Sequence, residues 1–323
     1  MSTQHRALPP SDPTGWYALA FSRELPPEGL LTREIVGGDI ILYRTAGGAV
    51  RATDPYCPHM GAHLGKGGRV AGDTLICPFH AFSFDGHGRC VATPYGHKAP
   101  KRARLRTWHV DEVGGVVMVW YDRAGGPPQW AVPSLDMRGW RPWAWRTFTL
   151  ASHPQETSEN SVDIGHFSVV HGYEDVAELE RATVDGPLLQ ARYAMTRRRP
   201  LLPTLESEFQ VSVWGLGYSL VEVTVRSAGL ALRNLVLSTP TGDGQITLRI
   251  ALSVPTFPGS ALVQQAALAA FAADVRQDFA IWENKTSIAR PALARGDGPV
   301  GLFRQWARQF YPQPALHSVE RAS

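Results

Sequence analysis

Two short stretches of the sequence each offer one cysteine and one histidine. Cys57 and His59 are separated by a single proline, and farther along the chain Cys77 and His80 are separated by two residues. Thiolates and imidazoles are ligands for iron and zinc, so these four side chains indicate a metal site. The chain has only three cysteines, which are too few for a disulfide framework. We therefore expect metal chemistry at these two loops.

The order of the four ligands separates two kinds of metal site. Zinc fingers place their two cysteines together and their two histidines together, whereas here each loop carries one of each. A Rieske [2Fe–2S] cluster needs two cysteines on one iron and two histidines on the other. We therefore predict a Rieske cluster on Cys57, His59, Cys77 and His80. The nearby His63 and His87 lie off this spacing and are interpreted as loop histidines, and Cys90 as a small buried apolar residue.

A second group of polar residues lies between positions 156 and 171. We predict a helix here, on which Asn160, Asp163 and His166 would recur every three residues and share one face. His171 follows the predicted helix end and can converge on the same point. Two histidines plus one carboxylate, with open positions, is the ligand set of O₂-activating non-haem Fe(II). Because histidine pairs on helices are often structural, the prediction of His166 and His171 as iron ligands depends on the cluster upstream.

The third iron ligand has to be an acidic residue that the fold brings in from elsewhere. Residues 261–285 contain neither Gly nor Pro and are rich in Ala, which predicts one long helix. This helix offers Asp274, Asp278 and Glu283. The two aspartates share a helix face, so their spacing alone does not decide between them.

The elements that position these residues fall into two groups. The N-terminal part has short apolar runs broken by Gly and Pro, with a predicted hairpin at residues 40–50 and a buried closing strand at residues 116–120. Strands are predicted in the C-terminal part at residues 143–150, 188–196, 206–213, 219–225, 230–238 and 245–254. We expect a flexible tail (1–13), a Rieske domain (14–122), a linker (123–142), a catalytic domain (143–312) and a tail (313–323).

Composition excludes several classes of protein. The chain is 44% hydrophobic and 19% charged, which is ordinary for a globular protein. A net charge of +3 is too small to argue for a nucleic-acid partner. The N-terminus lacks the apolar core of a signal peptide, and no apolar run is long enough for a membrane span. These features predict a cytoplasmic protein.

Together these features resemble the α-subunits of Rieske non-haem iron oxygenases, over nearly the whole chain. The sequence looks most similar to the branch that contains 3-ketosteroid 9α-hydroxylase, cholesterol 7-desaturases and dicamba-type monooxygenases. One departure is Ala81-Phe82, where many members carry Gly-Trp. The segment from Gln277 to Lys285 resembles the family's carboxylate segment, which favours Asp278 as the third iron ligand and leaves Asp274 as a solvated charge. The matching motifs are Tyr56-Cys57-Pro58-His59-Met60-Gly61-Ala62, Cys77-Pro78-Phe79-His80 and Glu159-Asn160-x-x-Asp163-x-x-His166-Phe167-x-x-x-His171-Gly172.

The resemblance implies an α+β fold. An N-terminal all-β Rieske domain would precede a C-terminal helix-grip (START-like) catalytic domain with an antiparallel sheet and a long C-terminal helix. It also implies a homotrimer in which the cluster of one subunit feeds the iron of its neighbour. Asp163 would bridge His80 of the adjacent chain and His166, with Asn160 beside it in the catalytic site.

The resemblance further implies an oxygenase that uses O₂ at the mononuclear Fe(II). Its electrons would come from NAD(P)H through a separate ferredoxin or flavin reductase, because the chain has no convincing Gly-rich dinucleotide loop. The expected substrate is an apolar small molecule such as a steroid, terpenoid or aromatic natural product. Hydroxylation, demethylation, desaturation and cyclisation all remain open. Residues 169–170, residues 230–237 and Phe271 are predicted to form either the substrate wall or core.

Two other functions compete with an oxygenase. A Rieske-type electron carrier would need only about the first 120 residues and would leave the second half without a role. A lipid-binding helix-grip protein without turnover would have no use for His166, His171 and Asp278. The number of irons that each chain holds distinguishes both alternatives from the oxygenase.

Overall fold

The computed structural model describes residues 7–9, 12–198 and 203–312. The predicted C-terminal tail and most of the predicted N-terminal tail lie outside these residues. Within them, no helix is both long enough and apolar enough to cross a membrane.

The N-terminal part consists of three small antiparallel sheets, whose strands occur in the orders β1-β11-β10, β2-β3-β4-β9 and β5-β6-β7-β8. The predicted hairpin is confirmed as β3 and β4, and the predicted closing strand is β11 in the middle of its sheet. The strands are β1 (Gly15–Phe21), β2 (Leu30–Ile35), β3 (Gly38–Arg44), β4 (Val50–Thr53), β5 (Arg69–Ala71), β6 (Thr74–Ile76), β7 (Ser83–Phe84), β8 (Cys90–Ala92), β9 (Thr107–Trp108), β10 (Val110–Val113) and β11 (Val116–Tyr121).

The C-terminal part is built on one antiparallel sheet of seven strands, in the order β12-β18-β17-β16-β15-β14-β13. The strands are β12 (Ala144–Ala151), β13 (Glu174–Asp185), β14 (Leu188–Arg197), β15 (Leu205–Trp214), β16 (Tyr218–Val225), β17 (Leu230–Gly242) and β18 (Gln245–Ser253). Four helices accompany the sheet: α1 (Pro154–Glu159), α2 (Gly165–Val169), α3 (Ser260–Trp282) and α4 (Val300–Ala307). The predicted fold class, a β-rich first part followed by an antiparallel sheet with one long helix, is confirmed.

Successive side chains of β17 point to opposite faces of the sheet, so one face packs against the N-terminal part and the other faces α3. Leu235 and Leu237 point to one face, where they pack with Trp16 and Trp120 of the N-terminal part in a shared core. The alternate residues point to the opposite face, which is covered by α3. Arg249 reinforces the junction by donating a hydrogen bond of 3.1 Å to the backbone carbonyl oxygen of Ala18 in β1.

The prediction of one continuous helix between residues 156 and 171 is wrong. The structure has two short helices, α1 and α2, separated by residues 160–164. Asn, Ser, Asp and Gly are poor helix formers, and this connection contains or adjoins all four. Val162 in the connection is fully buried in the core that includes Phe303 of α4. Asn160, Asp163 and His166 therefore do not share the face of a single helix.

Two elements of the C-terminal part were not predicted. β13 is an edge strand whose residues are mostly exposed, so it lacks the alternating apolar pattern that identifies a half-buried strand. Its register against β14 also shifts three times. The second element is the short helix α4, which buries Phe303 and Trp306 against the sheet. Gly298 and Pro299 directly precede it, and such residues are typical of loops.

Candidate metal centres and cavity

The two Cys/His loops have the same backbone turn. In the first, which follows β4, the N–H of Cys57 donates to the carbonyl oxygen of Ala62 and the N–H of Gly61 donates to that of Cys57. In the second, between β6 and β7, the hydrogen bonds have the same spacing, from Cys77 to Phe82 and from Ala81 to Cys77. Two equivalent turns therefore present one cysteine and one histidine each from opposite sides.

The predicted cluster ligands lie together, with the sulfurs inside and the imidazoles outside. Cys57 and Cys77 are only 2% and 3% exposed, whereas His59 is exposed. The imidazole rings of His59 and His80 lie 4.7 Å apart between centroids. This arrangement fits a cluster with a buried cysteine-bound iron and a histidine-bound iron near the surface.

The acidity of the Cys57 thiol is compatible with metal binding. Burial and the neighbouring Cys77 together raise the pKa of this thiol to about 11, although a hydrogen bond from the backbone of His59 acts in the opposite direction. A thiol with this pKa is not a free nucleophile at neutral pH, because its thiolate is scarcely populated. It becomes a thiolate only when a cation stabilises the negative charge, as an iron ion would.

The departure at Ala81-Phe82 leaves the second loop intact. Ala81 adopts φ of 51°, in the left-handed region, at the position where the first loop has Gly61 with φ of 75°. The requirement for positive φ explains why Gly suits this position, and Ala costs about 1 kcal/mol there. Phe82 stacks on the His59 ring with centroids 4.3 Å apart and planes 8° apart, so it supplies the aromatic wall.

The three residues excluded from the cluster have other environments. His63 contacts Asp39 at 3.0 Å through Nε2 and accepts a hydrogen bond from the backbone N–H of Gly65 through Nδ1. His87 is exposed, and Cys90 is half-buried against the core beneath the loops. The interpretation of His63 as a partnered loop histidine is confirmed, while Cys90 is less buried than expected.

A second group of ligand atoms lies in the C-terminal part. One atom each from His166, His171 and Asp278 lie within 4.8 Å of one another, a spacing that one ion can bridge after small side-chain rotations. His166 comes from α2, His171 from the turn after it, and Asp278 from α3. Asp278 is 5% exposed, and its ion-pair contact is with His171, whose Nε2 lies 3.5 Å from Oδ2. Two imidazoles and one buried carboxylate are the donor set that a divalent iron takes.

The backbone of Asp163 fixes the tautomer of His166. Nδ1 of His166 donates to the backbone carbonyl oxygen of Asp163, which leaves Nε2 free for a metal. The Asp163 carboxylate lies 3.8 Å from Nδ1, so the hydrogen bond expected from that carboxylate is made by the backbone instead. Burial would raise the pKa of Asp163, but the hydrogen bonds and positive charge of His166 hold it below its usual value. The side chain remains 36% exposed and can accept a further hydrogen bond.

Gln277 fixes His171 in the same way. Its Oε1 lies 2.9 Å from Nδ1 of His171, which directs Nε2 towards Asp278. Burial lowers the pKa of His171, yet the hydrogen bonds to Asp278 and Gln277 outweigh it and raise this pKa above 6.5. Sequence reasoning missed Gln277, although its position directly before Asp278 was a signal that could have found it.

The expectation that Asp274 is a solvated charge is wrong. Its carboxylate forms an ion pair with Arg197 of β14, and both side chains are less than one-fifth exposed. The hydroxyl of Tyr173 donates to the same carboxylate at 3.2 Å, and the Arg197 guanidinium lies over the Tyr173 ring. Arg197 also donates to the backbone carbonyl oxygen of His171 at 3.3 Å. Asp274 is therefore committed to a network that supports the turn carrying His171.

Buried ion pairs hold α1 in place. Glu159 receives two hydrogen bonds from Arg304 of α4, at 2.6 and 2.8 Å. Asn160 follows directly and its Oδ1 accepts a hydrogen bond of 3.3 Å from the indole N–H of Trp282, at the end of α3. Asn160 thus lies between α1 and α3 beside the three ligand residues, where it lines the cavity described next.

An apolar cavity of about 420 Å³ lies between α3 and the sheet and reaches the three ligand residues. Its floor is formed by alternate residues of β14 to β18, and α3 covers it with Phe271 and Val275. Of the residues that were predicted to form either the substrate wall or core, Leu232, Val236 and Phe271 line the cavity, whereas Leu235 and Leu237 lie in the core. Val169, the last residue of α2, does not contribute, because its side chain is 86% exposed.

Comparison with known proteins agrees with this arrangement. Residues 15–109 match the family model of the Rieske [2Fe–2S] domain, and residues 119–311 match that of the 3-ketosteroid 9α-hydroxylase C-terminal domain. The fold and the two ligand groups thus define a Rieske-type oxygenase. More narrowly, the chain belongs to the family that is defined by the 3-ketosteroid 9α-hydroxylase C-terminal domain, which agrees with the branch that the sequence motifs resemble.

Curated relatives extend over almost the whole chain. A cholesterol 7-desaturase of Bombyx mori is 31% identical across 96% of this chain and 72% of its own length. The oxygenase component of a 3-ketosteroid-9-alpha-monooxygenase of Rhodococcus rhodochrous is 28% identical across 94% of this chain and 86% of its own. The crystal structure of dicamba monooxygenase bound to 3,6-dichlorosalicylic acid shares the fold, with a TM-score of 0.73, 21% identity and coverage of 92% and 96% of the two chains. The protein is therefore a Rieske oxygenase that holds a [2Fe–2S] cluster and a mononuclear iron.

The raised pKa of His171 predicts a pH-dependent stability for the chain prepared without iron. A histidine whose pKa is higher in the folded chain stabilises the fold below its unfolded pKa of about 6.5, and this contribution disappears as pH rises through the folded pKa. Asp278→Asn should therefore lower the free energy of unfolding more near pH 6 than near pH 9. The difference should be on the order of 1 kcal/mol for each pH unit by which Asp278 raises the pKa of His171. Urea unfolding of both iron-free chains measures this difference. An equal cost at both pH values would contradict the pairing of His171 with Asp278.

Proposed function

We propose that this chain is a terminal oxygenase that oxidises a compact, apolar polycyclic molecule at the iron site beside its cavity. The observation that carries the proposal is the convergence of His166, His171 and Asp278 at the wall of that cavity. An electron carrier has no need of a second ligand group facing an apolar cavity. We also propose the division into an electron-transfer domain (14–122), a linker (123–142) and a catalytic domain (143–312).

The proposed roles of the residues follow from their contacts. Cys57 and Cys77 would hold the inner iron of the cluster, and His59 and His80 the outer one. His166, His171 and Asp278 would hold the mononuclear Fe(II), with Asn160 at the side of the substrate. When bound, the iron supplies O₂ activation, which is chemistry that amino-acid side chains do not provide. The chain itself excludes water, fixes both imidazole tautomers and orients the substrate.

The cavity supports an apolar substrate of steroid-like size. Its volume lies within the range of about 300–1,000 Å³ that is usual for small-molecule sites. The relatives named above are a cholesterol desaturase and a ketosteroid monooxygenase, which makes a sterol or steroid skeleton the first class to test. Aliphatic and aromatic walls around the iron also suit a substrate whose reacting C–H bond lacks polar neighbours.

We propose a head-to-tail homotrimer that brings the cluster of one subunit to the iron of the next. Tyr56, Met60 and Phe79 surround the cluster loops with side chains that are 60–66% exposed, and Val169 is 86% exposed beside His166. Large apolar side chains exposed next to redox centres mark surfaces that partners cover. At the surface beside His166, the carboxylate of Asp163 would accept a hydrogen bond from His80 of the partner subunit.

The donor of electrons is expected to be a separate reductase or ferredoxin, as the relatives' description as an oxygenase component implies. We propose a cytoplasmic location, because NAD(P)H-dependent reductases and unpaired metal-binding thiols both suit a reducing compartment.

The assignment of the third ligand is tested by a matched pair of substitutions in α3. Asp278→Asn removes the carboxylate between the two imidazoles, so we expect the mononuclear iron to be lost and product formation to fall by about 10²-fold or more. Asp274→Asn should keep that iron, since its carboxylate is committed to Arg197. Iron per chain and the reduced-cluster EPR signal, measured for both variants, separate the two residues. Iron loss from Asp274→Asn with retention in Asp278→Asn would reverse the assignment.

The bridging role of Asp163 is tested by Asp163→Asn, which keeps the shape but removes the charge. The backbone carbonyl oxygen that orients His166 remains, so iron binding should persist. The path from His80 of the partner subunit to His166 should fail, and product formation should fall by about 10²-fold or more while the cluster stays reduced in the presence of substrate and O₂. Stopped-flow absorbance of the cluster measures its reoxidation directly. Glu159 cannot substitute as a bridge, because Arg304 already pairs with its carboxylate.

Reoxidation of the Asp163→Asn cluster at the parental rate would show that Asp163 is not the bridge. A matched control is Asp175→Asn, an exposed aspartate in the adjoining strand β13 that pairs with Arg198. Because this aspartate contacts neither histidine group, its removal should leave cluster reoxidation unchanged.

A further inference from the structure

A carboxamide interrupts the largely apolar floor of the cavity. Asn234 in β17 is 8% exposed, and its Oδ1 has no hydrogen-bond partner among the described residues. Its cross-strand neighbours are Val221 on β16 and Leu252 on β18, and its neighbours on the same face of β17 are Leu232 and Val236. All four neighbours are aliphatic and line the cavity with it. A single carboxamide is thus surrounded by hydrocarbon.

Folding alone does not account for this amide. A buried polar atom without a partner destabilises a fold, and an apolar side chain of similar shape avoids that cost. Leu is such a side chain, and the neighbouring positions of the floor are already Leu or Val. An unsatisfied amide in a ligand cavity is instead what a site needs in order to recognise a polar group on its ligand.

The position of Asn234 places this recognition close to the iron ligands. On one side, Leu232 packs with Ala267 and Phe271 of α3, and on the other side Val236 packs with Val275 and Trp282. Asn234 therefore lies opposite the turn of α3 around Phe271 and Val275, which directly precedes the turn that carries Asp278.

Several other polar groups that line the cavity have partners. Arg197, Tyr173 and Asp274 contact one another. Asn160 accepts from Trp282. The buried Oδ1 of Asn234, in contrast, has no hydrogen-bond partner among the described residues.

We propose that Asn234 is a specificity-determining residue that binds a hydroxyl group on an otherwise apolar polycyclic substrate. The inference rests on the proposed oxygenase function and adds the polar group that the substrate carries. A hydroxyl can donate to Oδ1 and accept from Nδ2, so it satisfies the amide in either orientation of the side chain. A ketone can only accept, and a hydrocarbon can do neither.

The test uses three tetracyclic steroid probes that differ at one ring position: an alcohol, the corresponding ketone and the corresponding hydrocarbon. Equilibrium dissociation constants are measured anaerobically with the holoenzyme, so that binding is separated from turnover. The parent should bind the alcohol about tenfold or more tightly than the hydrocarbon, with the ketone between them. Asn234→Leu should abolish this preference through weaker binding of the alcohol. The control Val221→Ala alters the same wall without removing a polar group, and should change all three affinities while keeping their order.

A second measurement distinguishes recognition from a structural role. If no protein group needs the amide, the substrate-free Asn234→Leu holoenzyme should unfold at the parental temperature or above it. Unfolding several degrees lower would assign the amide a structural partner and overturn the inference. Equal binding of the three probes by the parent, binding of none of them, or a retained preference in Asn234→Leu would overturn it as well.

Iron content and substrate-dependent O₂ consumption report separately on the proposed function. A chain that prefers the alcohol but lacks the mononuclear iron would sustain the role of Asn234 and contradict the oxygenase. A fully active oxygenase without the preference would contradict only the role of Asn234.

Discussion

The burial of the Asp278 carboxylate is the constraint on which the catalytic half depends. A charge that is 5% exposed inside an apolar cavity is strongly destabilising unless an opposite charge lies beside it. Without metal, His171 is the neighbour that can supply that charge: burial lowers the pKa of His171, but its hydrogen bonds to Asp278 and Gln277 outweigh burial and raise this pKa. With metal, a divalent ion replaces the proton. The pocket around Asp278 therefore favours a positive charge with or without metal. Because His171 lies in the turn after α2, this requirement also holds α3 close to that turn.

The surrounding ion pairs keep these two segments in register. Arg304 anchors Glu159 at the end of α1, and Arg197 links Asp274 of α3 to the backbone at His171. Each pair joins elements that are distant in sequence, and each is largely buried, so that loss of one partner would leave an uncompensated charge. These polar groups hold the ligand-bearing segments in place from outside the cavity, so the cavity wall itself can be largely apolar. Asn234 departs from this pattern because its buried amide faces the cavity.

Much of this architecture could be predicted from the sequence, for identifiable physical reasons. The cluster ligands in the two loops between Cys57 and His80 could be predicted because the spacing of Cys and His within each loop is local. Helix α3 and most strands of the C-terminal part could be predicted because their apolar residues follow the periodicity of the secondary structure. The break between α1 and α2 has one cause that the sequence shows, its run of poor helix formers, and one that it does not, the tertiary contact that buries Val162 against Phe303. The same holds for Arg197 and Arg304, whose partners are contributed by remote segments. Asp274 and Asp278 share a helix face, so only the folded chain shows that one contacts Arg197 and the other His171.

The central claim is that one chain holds two different iron centres, and the amounts of iron and acid-labile sulfide per chain test it most directly. A [2Fe–2S] cluster together with one mononuclear site requires three irons and two sulfides for each chain purified anaerobically, with a Rieske-type EPR signal after reduction. His166→Ala should lower the iron to two while the sulfide and the signal remain. If the parent holds only two irons with the same sulfide and signal, or if the signal disappears with His166, the account of two separate centres is contradicted.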